Sequence, residues 1–80
     1  MDDKHILELF RQRDETALHE VGQTYRALCM TVAYNILGNR QDAEECFNDA
    51  LLRVWNAIPP AAPESIGAYL LTALRTAVSR

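Results

Sequence analysis

Three carboxylates, Asp42, Glu45 and Asp49, lie at positions i, i+3 and i+7 of one segment, a spacing that puts side chains on one face of a helix. Pairs of carboxylates that act as general acid and base usually come from separate elements facing each other across a gap. Acids that follow one another along a single helix more often form a solvated surface. The histidines His5 and His19 are isolated, and no glycine-rich phosphate loop is present. We therefore expect no enzymatic activity and no cofactor.

The two cysteines, Cys29 and Cys46, are far apart in the sequence, form no CxxC motif and have no histidine at ligand spacing. Both fall on apolar helical faces, where a thiol behaves as a small hydrophobic group. We expect two reduced core residues rather than a disulfide or a metal site. The first residues, Met-Asp-Asp-Lys, lack the apolar stretch of a signal peptide, and no apolar run reaches the ~18 residues of a membrane span. These features predict a soluble, cytoplasmic protein without a membrane partner.

The elements that must position these residues form a single domain over residues 1–80, because 80 residues are fewer than a typical domain contains. Hydrophobic residues make up 49% of the chain and charged residues 24%, an ordinary globular balance. No alternating strand pattern occurs. We predict an all-α fold, a small bundle of three main helices plus a short N-terminal helix. Its predicted segments are Lys4 to Arg11, Asp14 (as N-cap) to Leu37 with Gly38 as terminator, Asn39 (as N-cap) to the Pro59-Pro60 stop, and a last helix capped by Ser65.

Charge is unevenly distributed over these segments. Residues 41–50 contain four acids and no base, whereas residues 51–80 contain three arginines and one glutamate. If the helix after Asn39 were the recognition helix of a helix-turn-helix, its acids would meet DNA phosphates with like charge, so direct reading of duplex DNA by this helix is disfavoured. Two interpretations remain for its acidic face: an ordinary solvated surface, or a docking surface for a basic protein, with Leu52 and Trp55 near its edge as apolar anchors.

The last helix has a different polar face, neutral to basic, that nucleic acid could accept. An ordinary surface helix carrying two arginines explains the same residue types. The residues of this face are Thr72, Arg75, Thr76, Ser79 and Arg80.

Residues 35–55, Asn-Ile-Leu-Gly-Asn-Arg-Gln-Asp-Ala-Glu-Glu-Cys-Phe-Asn-Asp-Ala-Leu-Leu-Arg-Val-Trp, resemble region two of bacterial sigma factors, most closely the extracytoplasmic-function (ECF) group. That family typically has the pattern ILG-(N/D)-x-x-DAE-(D/E)-x-x-(Q/N)-(E/D)-x-(F/L)-L-x-x-W. The resemblance extends from about Asp14 to the end of the chain. The positions that meet the pattern are Ile36, Leu37, Gly38, Asp42, Ala43, Glu44, Glu45, Asn48, Asp49, Leu51, Leu52 and Trp55.

The resemblance implies a transcription initiation factor domain that binds RNA polymerase core and helps to recognise and melt the minus-ten promoter element. In the family, the helix corresponding to residues 42–55 docks on a coiled coil of the β′ subunit. The resemblance assigns this contact to Glu45, Asn48 and Asp49, flanked by Leu52 and Arg53. It also implies that the last helix and the loop of residues 59–64 hold the non-template strand of promoter DNA; Arg75 matches a family position on that helix, and Thr76 stands where Asn is common. Together with the other residues of the polar face, this predicts Thr72, Arg75, Thr76, Ser79 and Arg80 as DNA-binding residues.

The sequence departs from the family pattern in the loop, which reads Pro-Pro-Ala-Ala-Pro where relatives often have Phe and Arg. The second sigma domain, which reads the minus-thirty-five element, has no counterpart here, so the resemblance implies the N-terminal domain of a longer protein. An anti-sigma factor is a further partner that the family suggests. Two alternatives stay open: a polymerase-binding module without promoter recognition, and a helical protein-interaction domain unrelated to transcription.

Overall fold

Four α-helices make up the fold in the computed structural model, which describes residues 2–79. They are α1 (Asp3–Arg11), α2 (Thr16–Leu37), α3 (Arg40–Ala57) and α4 (Ile66–Val78). Residues 2–79 contain no β-strand. The predicted all-α fold of three main helices and a short leading one is therefore confirmed. Within the same residues, no helix is both long enough and apolar enough to cross a membrane.

The starts of α3 and α4 follow from short polar side chains that cap the free N–H groups of the first helical turn. The Asn39 side chain accepts a hydrogen bond from the Asp42 N–H at 3.0 Å. The Ser65 hydroxyl oxygen accepts one from the Ala68 N–H at 3.2 Å. Both residues have the extended backbone typical of an N-cap. Both predicted caps are confirmed.

The start of α2 differs slightly from the prediction. Glu15 occupies the N-cap position without a capping hydrogen bond from its side chain. Asp14, the predicted cap, instead accepts the Thr16 N–H at 2.9 Å. The Thr16 backbone N–H, with a smaller contribution from its hydroxyl, lowers the pKa of Asp14. Asp14 thus satisfies a free N–H of the first turn as predicted, but from one residue further outside the helix.

The core lies where α2, α3 and α4 pack on one another, with α1 packed against α2. α1 buries Ile6 and Phe10 in this core, and no charged or polar residue is buried among residues 2–79. The largest fully buried side chains are Phe10, Phe47, Ile58, Ile66, Leu70, Leu74, Val21, Val54 and Cys29.

Two large apolar residues of α2 are not covered by another helix. Leu28 is 51% exposed and Ile36 is 59% exposed, whereas Cys29 and Ala33 are buried. α2 has 22 residues and α3 has 18. An apolar pattern predicts which residues share a helix face, but whether another helix covers that face depends on the tertiary packing.

Close approach of two helices occurs at Gly67 and not at Gly22. A Cβ added to Gly22 would lie 3.6 Å from Leu51 Cδ1, an ordinary contact distance. A Cβ added to Gly67 would lie 2.6 Å from Tyr25 Cε1, which is a clash. Gly67, at the start of α4, is therefore the glycine that lets α2 and α4 approach.

Substitutions at Gly22 and Gly38 separate two effects of glycine on stability: its flexibility in the unfolded chain and its tolerance of a positive φ. Gly22→Ala should raise the free energy of unfolding by about 0.5–1 kcal/mol, because alanine restricts the unfolded chain and fits the space beside Leu51. Gly38 has φ +69° and open space around it, so Gly38→Ala should lower the free energy of unfolding by about 1 kcal/mol through backbone strain alone. Urea denaturation measures both changes. Shifts of the same sign would contradict this assignment.

Candidate functional site

The outward face of α3 carries an exposed leucine surrounded by polar and acidic side chains. Leu52 is 55% exposed, and Glu45 and Asn48 are also exposed, while Asp49 is half-buried. These four residues are hereafter the docking face. They lie on the side of α3 away from its buried stripe, as the helical period of 3.6 residues requires. Four of the five residues that the resemblance assigned to polymerase contact therefore share one accessible surface.

Arg53, the fifth, lies at the edge of this surface. Its Nε donates to Asp49 Oδ2 at 2.9 Å, and the two side chains are 38% and 35% exposed. Such a pair one helical turn apart contributes about 0.3–0.5 kcal/mol, so its main effect is on the position of the guanidinium. Arg53 also lines a shallow groove between α3 and α4, together with Ala57, Tyr69, Thr72, Ala73 and Thr76. The Asp49–Arg53 pair thus joins the docking face to the polar surface of α4.

The polar surface of α4 contains Thr72, Arg75, Thr76 and Ser79, all exposed, which line a common surface depression. Arg80, which the sequence also assigned to this surface, lies outside the described residues. Arg75 is the one charged residue of Ile66–Val78. Any positive charge that α4 itself presents within the described residues therefore comes from Arg75.

The hydroxyl groups of Thr72, Thr76 and Ser79 already donate hydrogen bonds to backbone carbonyls one turn earlier. Thr72 Oγ1 donates to the Ala68 carbonyl at 3.0 Å, and Thr76 Oγ1 donates to the Thr72 carbonyl at 3.1 Å. Ser79 Oγ donates to the Arg75 carbonyl at 2.8 Å. A hydroxyl has one donor and two acceptor lone pairs, so in these conformations the oxygens offer acceptors to a ligand. Such acceptors suit the N–H groups of bases better than the oxygens of phosphates.

Trp55 packs at the edge of the core and is half-buried. Its ring lies 5.8 Å from that of Phe10 in α1, with the two planes tilted by 48°. The Arg13 guanidinium carbon lies 3.7 Å from the centre of the indole, within the range of a cation–π interaction. Both neighbours come from the N-terminal part of the chain, which the sequence did not connect to Trp55.

Arg13 also binds the backbone at the end of α3. One nitrogen, Nη1, donates to the carbonyl oxygens of Trp55 and Ile58, each at 2.8 Å. The last carbonyls of a helix have no partner within it, and a cation there also compensates the helix dipole. α3 has no basic residue in its own last turn. Arg13 itself has φ +55°, a left-handed conformation that costs a non-glycine residue roughly 1–2 kcal/mol.

Asp3 makes a corresponding contact at the start of α4. Its Oδ2 accepts the Ile66 N–H at 3.1 Å. α4 has no acidic residue in its first turn, so Asp3 supplies the negative charge that suits this end of a helix. Sequence reasoning missed both Arg13 and Asp3. Their partners lie 42 to 63 residues away along the chain, and no local motif signals them.

Where α2 packs against α3, Arg26 of α2 forms an ion pair with Glu44 of α3. The Arg26 guanidinium carbon lies 5.7 Å from the centre of the Phe47 ring. This contact holds Glu44 against α2 and away from the docking face. Glu44 therefore belongs to the packing of the two helices, although it lies next to Glu45 in the sequence.

Both cysteines are free thiols, Cys29 buried and Cys46 half-buried. Burial raises the pKa of the Cys29 thiol, which disfavours the thiolate that nucleophilic or metal-binding cysteines require. Across residues 2–79, no three His, Cys, Asp or Glu side chains form a group that could hold a metal ion.

The described residues thus form an all-α domain with an exposed leucine beside acidic side chains on α3 and exposed hydroxyl groups beside Arg75 on α4. The Sigma-70 region 2 family model matches residues 23–80. This match spans more than half of the chain, so the chain belongs to the sigma-70 region 2 family. Domains of this family are non-enzymatic and act in transcription initiation, where they bind RNA polymerase core and promoter DNA at the minus-ten element. Comparisons with curated proteins and with solved structures gave no match.

Replacing Trp55 tests the packing at the end of α3. Trp55→Ala should lower the free energy of unfolding by about 3 kcal/mol, because it leaves a cavity beside Phe10. Arg13 would also lose its aromatic partner. Thermal and urea denaturation measure the loss, and Leu52→Ala is the control, since Leu52 is exposed and should change stability by less than about 0.5 kcal/mol. An unchanged midpoint for Trp55→Ala would mean that the indole contributes only to binding.

Proposed function

We propose that the docking face of α3 binds the coiled coil of the polymerase β′ subunit and that α4, with the loop before it, binds the melted non-template strand of the minus-ten element. The observation that carries the first half is the exposure of Leu52 among Glu45, Asn48 and Asp49. An apolar side chain inside a polar ring is the arrangement of a protein-binding hot spot.

Electrostatics support a basic protein as the partner of the docking face. Glu45 and Asp49 are both on this face, and residues 41–50 contain no base. Complementary charge speeds association and fixes the register of two surfaces. The same charge repels phosphate, so this helix suits protein and not DNA.

Hydrogen-bond acceptors beside a cation support a single DNA strand as the ligand of α4. The oxygens of Thr72, Thr76 and Ser79 offer acceptors, and Arg75 supplies a cation. A base that is unstacked from the duplex exposes its N–H groups, which such acceptors can bind. The groove beside Thr72 and Thr76 adds a second cation, Arg53.

The proposal includes the finer assignments that the resemblance suggested. The chain acts as an ECF-type sigma domain in the cytoplasm, where an anti-sigma factor that covered the docking face would block polymerase. Its departure from the family loop, Pro-Pro-Ala-Ala-Pro, leaves α4 and not the loop side chains to make the polar contacts with bases. The alternative is a domain that binds polymerase without holding the strand. The DNA-binding measurement below distinguishes this alternative from the proposal.

Binding to polymerase can be tested with two substitutions on the docking face. Glu45→Lys and Leu52→Ala should each weaken binding to a β′ coiled-coil fragment by about tenfold or more, since hot-spot changes typically cost at least 1–2 kcal/mol. Glu20→Lys is the matched control, because it makes the same charge change on α2. Titration calorimetry measures the affinities, and circular dichroism checks the helicity. Equal affinities for all three variants would disprove the assignment of this face.

Strand binding can be tested with Arg75→Ala. The isolated chain should bind a labelled minus-ten-like single strand weakly, with a Kd of roughly 10⁻⁴–10⁻⁶ M or above, and duplex DNA more weakly still. With only one or two phosphate contacts, log K should fall with log[salt] with a slope near ~1. Arg75→Ala should reduce this slope further, whereas Arg11→Ala, on α1, should not. Fluorescence anisotropy across a salt series measures the slope, and tight sequence-specific binding to duplex DNA would contradict the proposal.

A further inference from the structure

The connection between α3 and α4 is held at both ends by residues from the beginning of the chain. Ile58, the last residue before it, has its carbonyl bound by Arg13 Nη1 at 2.8 Å. Ile66, the first residue after it, has its N–H bound by Asp3 Oδ2 at 3.1 Å. Residues 59–65 span the distance between these two points and are mostly exposed.

Arg13 and Asp3 both bind backbone atoms, so their contacts fix the path of the main chain and not merely the position of a side chain. The side chains of Ile58 and Ile66 are themselves buried, at 1% and 0% exposure. Arg13 further lies over the Trp55 ring at 3.7 Å, which restricts its own rotamers. Each end of the connection is therefore held in two ways. A buried isoleucine side chain packs in the core, and a charged side chain binds the backbone.

The charges match what each helix end lacks. The C-terminus of α3 has no basic residue of its own and receives the Arg13 cation, while the N-terminus of α4 has no acid of its own and receives the Asp3 carboxylate. Opposite charge at a helix terminus is stabilising. The family match begins at residue 23, so both charges come from residues that precede the matched segment.

We propose that α1 and the turn after it act as a brace, in which Arg13 and Asp3 are positioning residues that hold the α3–α4 connection in the geometry required to receive the promoter strand. Neither residue touches DNA in this arrangement. The functional half of the inference rests on the function proposed for α4 and its loop, whereas the brace itself is a property of the free protein.

Hydrogen exchange on the 80-residue chain measures the brace without any DNA. Asp3→Ala should speed exchange of the Ile66 amide by about tenfold or more, because that N–H would lose its acceptor and open to water. Asp3→Asn keeps an acceptor oxygen at the same place and should retain most of the protection. Unchanged protection of Ile66 in Asp3→Ala would overturn the brace.

Arg13→Gly is the variant for the other end, because it removes the side chain with its guanidinium, and glycine fits a φ of +55° without strain. It should speed exchange of the Ala61 amide, which bonds the Ala57 carbonyl at 2.9 Å just beyond the Arg13 contact. Arg11→Ala is the matched control, since it removes the same charge from a residue that pairs only within α1, with Glu8. Faster Ala61 exchange in Arg11→Ala than in Arg13→Gly would also overturn the brace.

The functional half is measured with the protein bound to polymerase core. Arg13→Gly and Asp3→Ala should weaken binding of a fluorescein-labelled minus-ten-like single strand by about threefold to tenfold, while binding to core stays unchanged, because the docking face is intact. Asp3→Asn and Arg11→Ala should bind the strand like the wild type.

The outcomes separate the two proposals. Faster amide exchange with unchanged strand affinity would overturn the positioning role and leave the strand site on α4 standing. Absence of strand binding by the wild-type complex would disprove the function proposed for α4, and the positioning role with it, while the exchange results would still decide whether the brace exists. Loss of core binding in Arg13→Gly would indicate general unfolding and would likewise overturn a local positioning role.

Discussion

The arrangement of this domain depends on the burial of one narrow stripe of α3 between α2 and α4. Ala43, Phe47, Ala50 and Val54 are at most 2% exposed, and two of the four are alanines that let the helices pack closely. Because successive residues of a helix are rotated by a fixed angle, burying this stripe determines where every other side chain of α3 points. Leu52 is turned to solvent and Arg53 towards α4 as a consequence. Rotation of α3 about its axis would move both surfaces at once, so the buried stripe sets the geometry of protein docking and of the α3–α4 groove together.

Under the proposed function, this geometry would keep two incompatible ligands apart. The acids of the docking face suit a basic protein and would repel phosphate, whereas the positive charge of Arg75 on α4 suits a nucleic acid strand. Salt at physiological strength screens exposed charges beyond about 8 Å, so each surface acts mainly on the ligand that touches it. The Asp49–Arg53 pair lies between the two surfaces. Its acid belongs to the docking face and its base lines the groove, so the sign of the charge changes between these two residues.

Local features of the fold could be predicted from the sequence, and long-range ones could not. The caps Asn39 and Ser65 and the left-handed Gly38 each depend on a hydrogen bond or a φ angle within four residues, so their residue types suffice. The exposure of Leu28 and the close approach at Gly67 depend on which helix covers which face, and the apolar pattern of α2 is the same in either case. At the candidate site, the face of α3 followed from helical periodicity and the family resemblance.

Arg13 and Asp3 show that the charges compensating a helix end cannot be identified from the sequence of that helix alone. By itself, α3 lacks a basic last turn and α4 lacks an acidic first turn, although the fold supplies both charges from the beginning of the chain. The sites are thermodynamically coupled if the strand requires the connection that these charges hold. Such coupling is reciprocal, so a strand that binds the ordered connection must also favour the packed state of α1. The leading helix would then be part of the strand-binding unit, although it precedes the residues that the family model matches.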